Sequence, residues 1–258
     1  MIATNDKQHL LTTKQMAQFC AAGFLRFDEL VPDDINKAVM TQLDDHIADG
    51  KPAVSYRGAG RPWDEVITDE PGLGQVYRLP QVQGIMRSFL GPRPLFDHLA
   101  IHRVGPQHKA GQVWHADAII DTRTHFDVQL FYFPHDTPRE MGGTAIVPGS
   151  HMRRINTNDI SRYHNFIGQL PIVCKAGTVF AMHHGMWHCA QPNHTDRMRY
   201  MVKLRLNPTV KQQRLWNTDD IDDREALREL HKAFGWEGNE IRIEFVQRSD
   251  RLIAVGAE

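Results

Sequence analysis

The chain is short of the features that mark exported, membrane-bound or nucleic-acid-binding proteins. It has only three cysteines, Cys20, Cys174 and Cys189. They lie far apart without CxxC spacing, and their odd number argues against a disulfide framework. Such usage suits a reducing cytoplasm. No stretch reaches the about 18 uninterrupted apolar residues of a membrane span. The start, Met1-Ile2-Ala3-Thr4-Asn5-Asp6-Lys7, lacks a basic region followed by an apolar run, so a soluble, unexported protein is expected. Charge of one sign is missing too: 30 Lys+Arg against 31 Asp+Glu leave a net charge of -1. No basic field is present to draw nucleic acid or an anionic membrane. The expected partner is a small-molecule substrate, met by a monomer or homodimer.

What is there fits one large domain with a full core. The 258 residues show no internal repeat and no low-complexity tract, and barrels or sandwiches of this size often run undivided. Residues 1–94 read as mainly helical. Thr12 or Thr13 is a candidate N-cap, Met16, Phe19 and Cys20 recur at helical spacing, and Gly23 stops the helix before a short strand at 24–27. A second helix is predicted over 32–48, with Ile35, Val39, Leu43 and Ile47 on one face, and a third over 82–90. Between them, 51–71 is rich in Gly, Pro, Arg and Asp and is long enough to be a lid over a site. From 95 to 208 the texture changes to strand-like runs at 95–103, 112–120, 128–133, 144–147, 170–175, 178–182 and 198–206. This spacing predicts an antiparallel sandwich or barrel. Residues 209–258 add an acidic helix over 222–234 and an alternating run at 241–246. Trp216, Trp236 and the acidic stretch 219–223 in this extension are expected to pack on the N-terminal helices, with a dimer contact as the other possibility.

Three His-x-Asp pairs occur, His115/Asp117, His125/Asp127 and His194/Asp196, and with 15 His and 31 Asp+Glu one or two arise by chance. Context separates them. His125 follows the polar stretch 121–124, and His194 sits in the turn-like Pro192-Asn193-His194-Thr195-Asp196. Only His115/Asp117 lies in a strand-like stretch, where residues two apart face the same side. A third ligand from a later strand would complete the 2-His-1-carboxylate face that holds Fe(II) with open positions. His183, His184 and His188 compete for that place.

Further blocks follow in order. Gly142 to His151 reads turn, buried strand, then Pro148-Gly149-Ser150-His151; a strand from Thr178 leads to His188; and Arg199 lies 11 residues beyond His188. This order resembles the phytanoyl-CoA dioxygenase family of Fe(II)- and 2-oxoglutarate-dependent oxygenases over about 11–208. The matching pieces are His115-Ala116-Asp117, the Gly-x5-Pro-Gly-(Ser/Thr)-His block, a distal histidine at His188, and Asn193 and Arg199 downstream.

The resemblance implies a mainly β fold with flanking helices: a double-stranded β-helix, the cupin-like jelly roll, with an N-terminal helical layer. It implies Fe(II) on His115, Asp117 and His188, with 2-oxoglutarate and O2 as co-substrates. Arg199 would grip the far carboxylate of 2-oxoglutarate, a role suited to a planar guanidinium, with Asn193 as a second cofactor-binding residue and Arg197 in reserve. On the same face of that strand, Arg205 and Lys203 are expected to be solvated. Where relatives often carry Ser and Trp, this chain has Ala190 and Phe131, so another donor to the co-substrate is needed. Halogenases on this scaffold lack the carboxylate, so Asp117 favours hydroxylation with release of succinate and CO2. A zinc-dependent hydrolase or isomerase on the same roll, and a catalytically silent binder, are the alternatives. Arg57, Arg61 and Trp63, with Tyr77 and Arg78, then His102 and His108, are candidate pocket residues for a polar or anionic substrate.

Overall fold

The computed structural model describes residues 7–67, 71–117, 127–153, 156–231, 249 and 252–253. Helix α1 (Thr13–Ala22) starts at a capping box in which the Thr12 hydroxyl accepts from the Gln15 N–H and the Gln15 side chain accepts from the Thr12 N–H. It ends at Gly23 in the left-handed region, φ 82. Strand β1 (Phe24–Phe27) and helix α2 (Asp33–Ala48) follow, the latter with Asp33 and Asp34 in its first turn, where the helix dipole favours acids. After a two-residue strand β2 (Val54–Ser55), helices α3 (Leu73–Arg78) and α4 (Pro80–Leu90) complete the helical layer.

The remaining strands are β3 (Leu95–Val104), β4 (Val128–Phe133), β5 (Thr144–Ile146), β6 (Leu170–Pro171), β7 (Thr178–His183), β8 (His188–Ala190) and β9 (Arg199–Asn207). Short helices α5 (Thr157–Ile160) and α6 (Arg224–Leu227) lie among and after them. The strands form a six-stranded sheet, β1-β7-β4-β9-β3-β2, and a three-stranded sheet, β6-β5-β8, paired antiparallel throughout. They face one another as a jelly roll.

Alternation along the strands sorts the side chains into layers. Leu130, Tyr132, Val202 and Leu204 share a buried cluster with Phe19, Met86 and Phe89 of the helices. Their neighbours Phe131, Phe133, Phe180 and Met201 point the other way and pack with Ile146 between the sheets. Trp114, Ala145, Trp187 and Cys189 form a third cluster on the outside of the small sheet. The roll is thus closed by apolar packing on three levels, with buried polar groups of the helical layer such as Asn36 and Ser88 satisfied by hydrogen bonds.

Several expectations change. The 112–120 run is no regular strand: residues 112–117 touch the sheet through the His115–His188 bridge and the Gln112 N–H to Ala190 carbonyl bond, and 118–120 lie outside the described residues. The 170–175 run shrinks to two paired residues, and β8 is an addition, too short for its alternation to show. The described part of the 51–71 stretch pairs along the edge of the large sheet. Gly60, Arg61 and Trp63 exchange backbone hydrogen bonds with Pro94 and Phe96, Ala53 accepts from Ile101, and Trp63 is buried against Tyr77. It therefore extends the sheet edge at β3, which supplies partners for its backbone. His125, Trp236 and the run at 241–246 lie outside the described residues, as does the end of the acidic helix beyond 231.

The C-terminal extension packs on α1. Trp216 is buried and its indole N–H donates to the Thr13 hydroxyl at 3.1 Å. The Asp220 carboxylate accepts from the backbone N–H groups of Thr13 (2.7 Å) and Lys14 (3.0 Å), capping the helix from a distant part of the chain. Asp220→Ala is expected to lower stability by about 1 kcal/mol, the usual cost of losing such a cap, seen as a lower urea midpoint at unchanged slope.

Candidate active site

The centre of the site is a pair of reciprocal backbone bonds. The His115 N–H donates to the His188 carbonyl at 3.1 Å and the His188 N–H to the His115 carbonyl at 2.9 Å. Residues paired this way project side chains to the same face, and the two imidazole centroids stand 4.3 Å apart. Each Nδ1 lies 2.9 Å from a backbone carbonyl two residues earlier, Val113 for His115 and Met186 for His188. A carbonyl only accepts, so Nδ1 carries the proton and Nε2 is left as the free lone pair. Asp117 Oδ2 lies 3.6 Å from His188 Nε2. One ligand atom each from His115, Asp117 and His188 fit within 4.8 Å of one another, the spacing of a candidate metal site.

The Pro148-Gly149-Ser150-His151 block buttresses this pair. The buried Ser150 hydroxyl accepts from the Trp187 N–H at 2.9 Å, and the Val147 N–H donates to the Trp187 carbonyl at 3.0 Å, so the residue before His188 is held on both sides. The Gly149 N–H reaches the Ala22 carbonyl and the His151 ring contacts the Cys20 carbonyl, tying the block to α1.

Protonation states favour a cation. Burial opposes the charge of Asp117, yet the nearby His188, Lys203 and His184 outweigh it and hold the carboxyl well below its usual range. Burial pushes His188 and His102 down to about 4 and His184 to about 3, so all three are neutral near pH 7. His184 Nε2 is 3.9 Å from Asp117 Oδ2, but His184 is not part of the three-residue cluster.

A cavity of about 260 Å³ opens beside these residues. Arg199 lines it, 5% exposed, with Nη1 donating to the carbonyls of Met141 (2.8 Å) and Gln191 (2.9 Å). Gly142 makes this corner possible: its φ is 64, and a Cβ there would overlap the Pro192 carbonyl oxygen. No carboxylate of the described residues offsets the guanidinium, whose pKa burial alone pushes down to about 10. A buried cation without a counter-ion calls for an anionic ligand.

Arg197 is exposed and does not line the cavity. Asn193 has another task. Its amide donates to the carbonyls of Val104, Gly105 and Arg197, its oxygen accepts from Thr195, and it holds the turn before β9 instead of reaching the cavity. Of the candidate substrate residues, His102 and His108 line the cavity, whereas Arg57, Arg61, Trp63, Tyr77 and Arg78 do not. Lys203 corrects its expectation: it is 9% exposed, lines the cavity, and sets Nζ 3.5 Å from Asp117 Oδ2. Arg205 is half-buried and pairs with Asp127 at 3.2 Å. Strand β9 is central, flanked by β4 and β3, so its charged face turns into the roll and not to solvent. Thr144, passed over in the sequence, lines the cavity opposite Ala190 in the β5–β8 register.

The family model for phytanoyl-CoA dioxygenase matches residues 11–201. The chain belongs to that family of Fe(II)- and 2-oxoglutarate-dependent oxygenases. Among curated sequences it is 26% identical over 103 residues to the uncharacterized proteins Rv1501 of Mycobacterium tuberculosis and Mb1539 of Mycobacterium bovis. That match spans 38% of this chain and 36% of the relatives' length. In fold it is similar to SnoK, a non-heme alpha ketoglutarate dependent carbocyclase from nogalamycin biosynthesis (TM-score 0.61, 16% identity, covering 81% of this chain and 89% of SnoK). It is also similar to iron-bound EctD from S. alaskensis (TM-score 0.59, 14% identity, 77% of each chain). Among the described residues no helix of the chain is long and apolar enough to cross a membrane.

The depressed imidazoles set the acid response. His102, His184 and His188 stay neutral in the fold at pH values where the unfolded chain, with histidines near 6.5, takes up protons. The unfolded state then binds more protons, so stability falls with acid. The metal-free protein is expected to lose a few kcal/mol between about pH 6.5 and 4, measured as denaturant midpoint against pH. A flat profile over that window would show that these imidazoles titrate normally.

Proposed function

We propose that this chain is a dioxygenase that uses Fe(II), 2-oxoglutarate and O2 to hydroxylate a small organic substrate. The observation that carries the reading is Arg199, a buried guanidinium with no acidic partner among the described residues, lining the same cavity as the His115, Asp117 and His188 ligand atoms. A structural metal site has no use for such a cation; an oxygenase uses it to hold the far carboxylate of 2-oxoglutarate.

The donor set fits a ferrous ion: two imidazoles with Nε2 unprotonated by virtue of their Nδ1 bonds and one carboxylate on one face, with the remaining positions free for exchangeable ligands. Held by His115, Asp117 and His188, with Arg199 on the co-substrate, iron and 2-oxoglutarate would supply the activation of O2, one oxygen atom going to succinate with loss of CO2 and the other to a substrate C–H bond, each organic partner giving two of the four electrons.

The protein supplies position and shelter. His115 and His188 are aimed by their Nδ1 bonds, Asp117 is kept ionised, and Arg199 is fixed by two carbonyls so that its remaining N–H groups are free to meet a carboxylate. Thr144 stands across the strand pair from Ala190 and offers a hydroxyl where Ala190 has none. Phe131, edge-on to the His188 ring at 5.8 Å, shields the ligands from water. Asp117 fills the position that halogenases of similar build leave open for halide, which supports hydroxylation.

Anaerobic addition of Fe(II) and then 2-oxoglutarate is expected to produce the weak visible charge-transfer band of the chelate. His188→Ala should abolish the band, and Arg199→Ala should weaken 2-oxoglutarate binding by roughly 100-fold, the scale for losing a charged hydrogen-bonding partner in a buried site. Iron binding without the band in the unaltered protein would sink the oxygenase reading and favour a zinc-type or silent binder.

A further inference from the structure

The inner face of β9 presents two cations, and one 2-oxoglutarate molecule can engage only one of them. Arg199 and Lys203 are four residues apart on the same face of one strand, so their backbones are separated by roughly 13 Å. The metal-ligand carboxylate is at the Lys203 end, with Asp117 Oδ2 3.5 Å from Lys203 Nζ. A co-substrate stretched from the metal to Arg199 runs away from Lys203 and leaves that ammonium on the opposite side of the centre.

Lys203 is 9% exposed, and its contact with Asp117 is longer than the about 2.7–2.9 Å of a strong charge-assisted hydrogen bond. It is a buried ammonium with donor capacity to spare. His102, on the neighbouring strand β3 directly opposite Met201 in the register, lines the same cavity, and its Nε2 is buried without a hydrogen-bond partner. Asp117 is the one carboxylate among the described lining residues. With iron and 2-oxoglutarate bound, the ion and the co-substrate cancel, and among the buried lining side chains Arg199 and Lys203 stand against Asp117 alone, which leaves one positive charge in excess. Lys203, whose acidic contact is the long one to Asp117, is the cation with donors still free, and an incompletely paired buried charge is costly.

We propose that the primary substrate is a small carboxylic acid whose carboxylate is bound by Lys203, with His102 as a further hydrogen-bonding partner. This rests on the oxygenase reading above. Arg103, the other cation lining the cavity, is exposed, so the buried surplus is a single positive charge, which matches a monoanionic carboxylate better than a phosphate ester. The cavity of about 260 Å³ restricts the buried part of the substrate to a compact group. Anchoring the acid beside Asp117 also places the oxidised C–H bond near the carboxylate end of the molecule.

The test uses the full chain with Fe(II) and saturating 2-oxoglutarate under anaerobic conditions, so that Arg199 is already occupied. Matched probes, propionate with propionamide, benzoate with benzamide, and proline with prolinamide, are compared by thermal-unfolding shift, and then in air by succinate release. At least one acid is expected to bind about tenfold or more tightly than its amide. That preference should vanish in Lys203→Met and persist in Lys203→Arg; Lys203→Gln serves in place of the Met variant if that one does not fold. Equal binding of acid and amide by the unaltered protein overturns the proposal, as does a preference that survives loss of the ammonium. Failure of the oxygenase reading shows separately, as absence of the chelate band before any probe is added.

Discussion

Everything at the centre depends on the two backbone hydrogen bonds that join His115 to His188. They connect a stretch with almost no other regular pairing to a strand of only three residues. Neither piece would hold a side chain in place alone. Paired, they put two imidazoles on one face, and the carbonyls of Val113 and Met186 fix which nitrogen is free. The support behind them is also backbone-directed: Ser150 and Val147 fasten Trp187, and Gly149 and His151 carry that anchorage back to α1. The helical layer thus reaches the His115–His188 pair through hydrogen bonds as well as through packing.

The same enclosure controls the electrostatics. Burial makes His102, His184 and His188 poor bases, while neighbouring cations and imidazoles keep Asp117 ionised. An apolar shell, with Phe131 and Phe133 against Met201, keeps water from screening these charges. Arg199 has no acidic partner among the described residues, and Lys203 has only a long contact to Asp117. Charge balance in the occupied site is therefore a constraint on which ligands fit, in addition to shape.

Helix starts and stops were legible because they are local: Thr12 and Gly23 bracket α1 within a dozen residues, and the spacing of Ile35, Val39 and Leu43 marks α2. Strand β4 was legible because its run is continuous and bounded. The candidate metal-ligand cluster was legible as a spaced pattern, His115-x-Asp117 with a later histidine, and the ordered motifs identified the family. Strand β8 and the edge pairing of 51–67 were not, because a two- or three-residue pairing depends on partners far away in the chain. Asn193 shows the limit of a motif: its place in the pattern is clear, but its five hydrogen bonds serve the turn that leads into β9.

The sequence by itself determined the family and the candidate ligand set, since two imidazoles, a carboxylate and a guanidinium in fixed order carry their ligand preferences wherever they are placed. Only the tertiary structure decided which of the alternating residues on β9 face a cavity. Alternation gives two faces but does not say which is inside, and solvation is the default for a row of Arg and Lys. With β3 and β4 on its two edges and the small sheet across from it, β9 has no solvent face, and Lys203 becomes a buried cation beside Asp117.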